Sequence, residues 1–253
     1  MGRQRKRDFD TLLESEEYDS FAQTLGQTVY DEVLSFLLPS TRMALDAGCG
    51  SGFLSLKLAD YVDHVIGLDI SDSMIALARE RQTKMGKKNV HFLKADLENL
   101  PFLKETFDFV VSKNTLYHTQ LEITLPDLRR LVKPGGRMVV FDLITSTPHL
   151  DKYPIWHVIR SLKKAPGLAR SYGFYTMLRI LSFQLSPQWI RHVCNGKRLT
   201  GDSFQNIYSQ FLPGCRFGRF KRYPWRIVAI WEAPDISKPR TQSKDRDFQD
   251  YTG

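Results

Sequence analysis

The sequence predicts an α/β fold in which a doubly wound parallel sheet is followed by a mostly helical region. Two observations lead to this prediction. Short apolar runs alternate with segments of helical periodicity through residues 42–143, and a glycine-rich loop follows the first run. Strands that alternate with crossover helices form a parallel sheet with helices on both faces. The 253 residues suffice for one such domain with an elaboration.

Five apolar runs separated by turn signals predict the strands of the sheet. They are Arg42–Asp46, His64–Asp69, Val90–Lys94, Phe107–Ser112 and Arg137–Leu143. Apolar residues at helical spacing predict helices before and between these strands. The predicted helices cover residues 11–38, 52–59, 73–85 and 121–132.

The alternation stops after Pro148. Residues 150–210 keep helical periodicity, and Pro154, Pro166 and Pro187 predict short helices there rather than one long helix. Two later apolar runs flank a Tyr-Pro turn signal and predict an antiparallel hairpin. These runs and the turn are Cys215–Lys221, Trp225–Trp231 and Tyr223-Pro224. The chain is thus divided into an N-terminal helical segment (1–40), a sheet core (41–147), a helical cap (148–210), a C-terminal hairpin (211–233) and a disordered tail (234–253).

Basic residues are concentrated in one part of the chain. Lys and Arg number 36 against 28 Asp and Glu, a formal net charge of +8 at pH 7. Residues 151–226 hold 14 of these cations and only two Asp. This segment predicts either a solvated basic face or a surface or pocket for an anionic membrane, acidic partner or anionic substrate.

Signals for export or a bound metal are missing from the sequence. The three cysteines, Cys49, Cys194 and Cys215, predict neither a disulfide framework nor a CxxC zinc site, and no H-E-x-x-H pattern is present. No run of 18 apolar residues occurs, and no apolar stretch follows the basic N-terminus. We expect a cytoplasmic protein, with peripheral membrane attachment as the alternative.

The strongest local signal is the loop L-D-A-G-C-G-S-G at Leu45–Gly52, between a strand and a helix. Its alternate glycines permit positive φ and let main-chain N–H groups approach a ligand closely. Asp69 ends the next strand, where a carboxylate can accept hydrogen bonds from both hydroxyls of a ribose. The loop and Asp69 predict a nucleotide site. The G-x-G-x-x-G spacing and Tyr-Lys pair of nicotinamide dehydrogenases are absent.

At these residues the sequence resembles the class I S-adenosylmethionine-dependent methyltransferases, notably small-molecule enzymes of the ubiquinone and menaquinone type. D-A-G-C-G-S-G resembles the first family motif, G-L-D-I-S-D-S-M-I the second and A-D-L-E-N-L-P-F the third. F-D-F-V-V-S-K-N-T-L-Y-H-T and L-V-K-P-G-G-R-M-V-V-F-D resemble the segments around strands four and five. The resemblance implies a Rossmann-like, doubly wound, seven-stranded sheet with an antiparallel last strand and the helical cap inserted after strand five.

The resemblance also implies S-adenosylmethionine as cofactor and S-adenosylhomocysteine as product. The loop Gly48–Gly52 would hold the methionine moiety, and Asp69 would bind the ribose. Apolar side chains and Asp96 would border the adenine. The implied cofactor residues are Asp46, Gly48, Cys49, Gly50, Gly52, Asp69, Ile70, Met74, Asp96, Leu97 and Ser112.

The reaction is expected where strands four and five end, because the carboxyl ends of neighbouring parallel strands share one crevice. His118 follows strand four and Asp142 ends strand five. A carboxylate beside the imidazole would stabilise the imidazolium formed when an acceptor loses its proton. Related small-molecule enzymes often have Leu-His-His where this chain has Leu116-Tyr117-His118. The base therefore stays open between His118 and Tyr117.

The cap is expected to hold the acceptor. Five of its aromatic side chains are predicted to wall an apolar pocket while Lys and Arg keep their charges outward. These aromatics are Trp156, Tyr172, Phe174, Tyr175 and Phe183. The histidines assigned to structure are His64, His91 and His192, and those that could contact substrate are His149 and His157.

The sequence thus predicts a methyltransferase for a small, apolar or aromatic acceptor, with O- or C-methylation favoured over N-methylation. The signature N-P-P-Y of adenine-N6 methylation is absent, so nucleic acid is not the favoured acceptor. Two alternatives remain. One is an RNA or protein methyltransferase that uses the basic cap, and the other is a protein that binds S-adenosylmethionine for a different reaction.

Overall fold

The computed structural model describes residues 30–219 and 225–235, and their strands form one seven-stranded sheet. The strands are β1 Met43–Ala47, β2 His64–Asp69, β3 Val90–Lys94, β4 Phe107–Lys113, β5 Val132–Leu143, β6 Arg216–Arg219 and β7 Arg226–Glu232. Their order is β3-β2-β1-β4-β5-β7-β6. Strands β1 to β5 are parallel, and β7 is antiparallel to β5 and β6. The predicted Rossmann-like fold class is confirmed.

Helices cover both faces of the sheet and follow β5 as the predicted cap. They are α1 Phe53–Leu58, α2 Asp72–Lys84, α3 Leu121–Leu131, α4 Pro148–Asp151, α5 Pro154–Tyr172, α6 Phe174–Gln184, α7 Pro187–Asn195 and α8 Gly201–Phe211. Contrary to the prediction, α5 continues through Pro166. The packing of α5 against α6 and α7 offsets the hydrogen bond that a proline removes from a helix.

The two faces of the sheet bury separate apolar clusters, because successive residues of a strand point to opposite faces. Phe109 and Val111 of β4 belong to one cluster, whereas Val110 between them belongs to the other. Val139 and Val140 of β5 divide in the same way. Burial on both faces explains why these strands are continuous apolar runs.

Some predicted boundaries differ from those observed. β5 begins at Val132, which pairs with Phe107, whereas Arg137 pairs with Phe109. The predicted Pro134-Gly135-Gly136 turn therefore bulges out of the ladder within one strand. Residues 30–34 are helical. Residues 11–29 of the predicted first helix, the Tyr223-Pro224 turn and the tail after residue 235 lie outside the described residues.

Candidate functional site

A cavity of about 570 Å³ lies at the carboxyl ends of β1, β2, β4 and β5, and α5 and α7 form its other side. This volume falls within the range of about 300–1,000 Å³ that is usual for small-molecule sites. The lining includes the glycine loop after β1 and also cap side chains such as Lys164 and Trp189. One continuous space therefore connects the predicted nucleotide site with the cap.

The glycine loop takes a conformation that favours glycine at three positions. Gly48, Gly50 and Gly52 have φ angles of 83°, 53° and 83°. The main-chain N–H groups of Gly48 and Cys49 donate to the carbonyl of Leu68 at 2.8 Å, which ties the loop to β2. The loop is thus fixed in position before any ligand binds.

Packing also restricts two of these glycines. A Cβ atom on Gly48 would lie 2.2 Å from the side chain of Thr115, and one on Gly52 would lie 2.6 Å from Phe92. A Cβ atom on Gly50 would have no neighbour closer than 3.9 Å. The loop is therefore closely packed against the protein at its two ends and open at Gly50, which lines the cavity.

Two carboxyl groups lie beside this loop. The Oδ2 and Oδ1 atoms of Asp69 accept main-chain N–H groups of Gly50 and Ser71, each at 2.9 Å. Asp46 accepts a 2.6 Å hydrogen bond from the hydroxyl of Ser55, yet burial raises the pKa of its carboxyl to about 6. Both carboxyl groups line the cavity, and two main-chain N–H groups hold the carboxylate of Asp69 beside the loop.

Most of the predicted cofactor residues surround this end of the cavity. Those that line it with Asp46 and Asp69 are Gly48, Cys49, Gly50, Ile70, Met74, Asp96 and Leu97. Gly52 and Ser112 are not among its lining residues. The hydroxyl of Ser112 donates to the carbonyl of Ala47 at 2.7 Å and so links β4 to β1. We therefore assign Gly52 and Ser112 to support of the cavity wall rather than to direct contact.

Tyr117 and His118 lie in a 3-10 turn after β4, and both line the cavity. The ring centroid of His118 is 4.2 Å from that of Tyr117 and 4.6 Å from that of His192. His192, which the sequence prediction assigns to structure, thus lines the cavity, and its ring lies tilted beside that of a candidate base. Burial lowers the pKa of His192 to about 4, so this ring is neutral at pH 7.

Asp142 has a different environment from the one predicted. It is buried and is not among the residues that line the cavity. Burial raises the pKa of its carboxyl to about 8, although main-chain N–H groups of Leu143 and Tyr117 donate to it. A carboxyl group that is mostly protonated at pH 7 cannot stabilise an imidazolium on His118 by its charge. The geometry instead gives Asp142 the task of holding the turn at Tyr117.

None of the cap aromatics predicted to wall the pocket lines it, namely Trp156, Tyr172, Phe174, Tyr175 and Phe183. Phe174 and Tyr175 are 68% and 76% exposed at the start of α6. Phe183 is buried and packs behind the cavity wall, with its ring centroid 5.0 Å from that of Trp189. Aromatic content alone does not reveal which face of a cap helix points inward.

The cap presents a polar face of α5 to the cavity. His157, Arg160, Ser161 and Lys164 line it at the spacing of one helix face. Arg160 forms an ion pair with Asp151. Of these residues only His157 is a predicted substrate contact, although the spacing of all four was visible in the sequence.

Lys113 is a further cavity residue, and the sequence prediction gives it no role. It ends β4 and lines the cavity, and its Nζ atom lies 4.8 Å from the ring centroid of Tyr30. Burial, followed by the nearby charge of Arg226, lowers the pKa of Lys113 to about 8. Within residues 30–219 and 225–235, no cluster of His, Cys, Asp or Glu could hold a metal ion, and no helix is long and apolar enough to cross a membrane.

Residues 45–140 match a family model described as a methyltransferase domain. A demethylmenaquinone methyltransferase of Lactococcus lactis subsp. lactis (strain IL1403) is 38% identical over 113 residues, 43% of this chain and 44% of that protein. A ubiquinone/menaquinone biosynthesis C-methyltransferase, UbiE, of Brucella anthropi is 32% identical over 157 residues, 57% of this chain and 60% of that protein. The chain spans about half the length of the curated relatives it matches.

The fold agrees with these matches. A SAM-dependent methyltransferase from Aquifex aeolicus has a TM-score of 0.52 and 21% identity, covering 80% of this chain and 88% of that one. The site fits S-adenosylmethionine, the predicted cofactor, because the loop is open at Gly50 and Asp69 is fixed beside it. S-adenosylmethionine is the cofactor that this family implies for the site. Residues 45–140 are thus similar to a methyltransferase domain, and the chain has the fold of the S-adenosylmethionine-dependent methyltransferases.

Proposed function

We propose that this protein transfers a methyl group from S-adenosylmethionine to a small-molecule acceptor bound beneath the cap. The supporting observation is the single cavity that joins the glycine loop and Asp69 to side chains of α5 and α7. The bound cofactor supplies a methyl group on a sulfonium, which is already a good leaving group. The protein then has to align the acceptor with that methyl group and, for some acceptors, remove a proton.

Asp69 is suited to bind the ribose. Two main-chain N–H groups fix the orientation of its carboxylate, and a carboxylate oxygen can accept more than one hydrogen bond. Met74 and Leu97 are almost completely buried beside the cavity and offer apolar walls for the adenine. The main chain at Gly48 and Gly50 would then lie beside the methionine moiety.

His118 is the stronger candidate for the base. Burial raises the pKa of Tyr117 to about 12, even though Arg198 opposes this shift. Tyr117 is therefore a protonated hydroxyl at pH 7, which suits it to donate a hydrogen bond rather than to take a proton. His118 lies next to it on the cavity wall and can act without an ionised Asp142.

The favoured acceptors are apolar or aromatic molecules methylated at oxygen or carbon. The names of the curated relatives direct the first tests toward quinone precursors. A planar acceptor would pack against the neighbouring rings of Tyr117, His118 and His192. The ring centroid of Trp189 lies 5.4 Å from that of His192 and extends this aromatic wall. We place the reaction in the cytoplasm, with an anionic membrane surface or acidic partner as a further contact of residues 151–226.

The experiment is transfer of an isotope-labelled methyl group from S-adenosylmethionine to hydroquinones, catechols and aromatic acids, followed by mass spectrometry of the products. Product formation that is lost in Asp69→Ala and kept in Asp63→Ala would support the proposal. Asp63 is a matched control because it is an exposed aspartate that forms an ion pair with Arg42 at the surface.

The alternative of an RNA or protein methyltransferase has its support in exposed cations of the cap, such as Lys163, Arg170 and Arg179. The same labelled cofactor can be offered with total RNA and with a protein extract. Incorporation into either macromolecule, without any small-molecule product, would favour this alternative. Such binding should also weaken steeply with salt.

A further inference from the structure

The cap contributes three cationic side chains to the lining of the cavity. Arg160, Lys164 and Arg198 all line it, and Arg198 follows α7. The acidic residues among the lining, Asp46, Asp69 and Asp96, come from the loop side of the site. The three lining carboxyl groups therefore lie at the predicted cofactor end, whereas these three cations belong to the cap.

The main chain fixes Arg198 beside the candidate base. The N–H group of Lys197 donates to the carbonyl of Tyr117 at 2.9 Å. A Cβ atom on Gly196 would lie 3.1 Å from the ring of Tyr117 and 3.4 Å from that of His118. The segment that leads to Arg198 therefore packs directly against the 3-10 turn that holds these two residues. The guanidinium carbon of Arg198 is 5.7 Å from the ring centroid of Tyr117.

The protein leaves these charges incompletely neutralised. Within the described residues, Arg160 has Asp151 as its ion-pair partner, whereas no carboxylate lies within ion-pair distance of Arg198 or Lys164. The Nε–H group of Arg198 is buried and has no hydrogen-bond acceptor among the described residues. A buried donor without an acceptor is costly, and an unpaired charge more so.

Neighbouring groups respond to this charge. Burial is the main cause that lowers the pKa of Lys164, and Arg198 and Arg160 lower it further. Burial lowers the pKa of His157 and His192 as well, and the charge of Arg198 lowers both further. Asp142 is the carboxyl group on the sheet side, and because burial raises its pKa to about 8 it carries little negative charge at pH 7.

We infer that the acceptor of the proposed methyl transfer carries a carboxylate or phosphate group, and that Arg198, with Lys164 beside it, binds this group. A guanidinium presents its N–H donors in a planar fork that matches two oxygens of such an anion. The apolar part of the acceptor would pack against Trp189 and His192 on the same side of the cavity. This inference rests on the proposed function.

The test is calorimetry with benzoate, phenyl phosphate and neutral benzamide, each titrated into protein saturated with S-adenosylhomocysteine. We expect at least one of the two anions to bind the wild type roughly tenfold or more tightly than benzamide, since hydrogen bonds between charged groups are the strong ones. Arg198→Gln should abolish this preference, and Arg191→Gln should keep it. Arg191 is a matched control, because it lies exposed on α7 and does not line the cavity.

The cofactor carboxylate is a second anion that Arg198 could bind, and the same variants distinguish it. If Arg198→Gln weakens S-adenosylhomocysteine binding and leaves the benzoate and phenyl phosphate titrations unchanged, the inference is wrong. Equal binding of the anions and benzamide, or no binding of either anion, also overturns it. If the wild type does not bind S-adenosylhomocysteine at all, the proposed function fails instead.

Discussion

The ring of His118 on the wall of the cavity lies beside two other rings, those of Tyr117 and His192. The hydroxyl of Tyr117 keeps its proton at pH 7, and burial keeps His192 neutral with a pKa of about 4, too low for an efficient base. Of these three side chains, His118 therefore remains the candidate base.

For an oxygen or carbon acceptor, His118→Ala should lower kcat by roughly 10²–10⁴-fold, because general-base catalysis contributes that much. The affinity for S-adenosylmethionine should not change. His91→Ala is the control, since His91 is an exposed histidine on β3. A His118→Ala enzyme with nearly wild-type kcat would mean that positioning alone carries the reaction, and Tyr117→Phe would then test the remaining candidate.

The raised pKa of Asp142 predicts that the free energy of unfolding decreases as pH rises from about 4 to 8. Its folded-state pKa of about 8 lies above the ordinary aspartate value of 3.8. Between about pH 4 and pH 8 the carboxyl group therefore keeps its proton in the folded protein but has lost it in the unfolded chain. The contribution of this group is fully present below about pH 4 and is lost as pH rises through 8, with a slope of up to about 1.4 kcal/mol per pH unit. Asp142→Asn should therefore lose less stability than the wild type between pH 5 and 8. Denaturant unfolding at these pH values measures the difference, and parallel curves would contradict the assignment.

In the glycine loop, both the backbone conformation and the packing of neighbouring side chains require glycine. Gly48 and Gly86 share positive φ, but a Cβ atom would meet Thr115 at 2.2 Å in the first case and nothing within 4 Å in the second. Gly86→Ala should cost about 1–2 kcal/mol from backbone strain alone. Gly48→Ala should cost distinctly more in urea unfolding, because Thr115 must also move. Equal losses would show that the packing of Gly48 against Thr115 is unimportant.

Helix α6 carries two phenylalanines in opposite environments. Phe174 is 68% exposed, whereas Phe183 is 5% exposed and packs on Trp189. Phe183→Ala should reduce the free energy of unfolding by about 3–5 kcal/mol, and Phe174→Ala should change it by less than about 0.5 kcal/mol. Thermal and urea unfolding check the pair. A change in acceptor KM on Phe174→Ala, with stability unaffected, would restore the prediction that this side chain walls the pocket.

At the scale of the whole molecule, the sheet could be predicted because its signals are local. The apolar runs around Val65 and Val110 are continuous since both faces of the sheet are buried, and the loop from Gly48 to Gly52 needs glycine for its backbone. Asp69 could be placed because it ends the strand that follows this loop. The antiparallel last strand came from the family resemblance, and the structure confirms it.

The cap could not be predicted to the same depth. Its aromatic residues indicate packing, but only the fold decides that Phe174 faces solvent and that His192 lies beside His118, the candidate base. The reversed role of Asp142 depends on burial, which raises its pKa and which the sequence does not reveal. The sequence shows that polar residues from His157 to Lys164 share one face of α5. That this face points toward the cavity depends on how α5 packs against its neighbours.

Binding of S-adenosylmethionine, measured by calorimetry on the wild type and Asp69→Ala, tests the central claim most directly. We expect a dissociation constant in the micromolar range, about −8 kcal/mol, and a loss of roughly 1.5–3 kcal/mol in the variant, because hydrogen bonds to a charged acceptor disappear. Asp63→Ala should bind as the wild type does. Absence of binding, binding of NADH in its place, or equal affinity in Asp69→Ala would contradict the account.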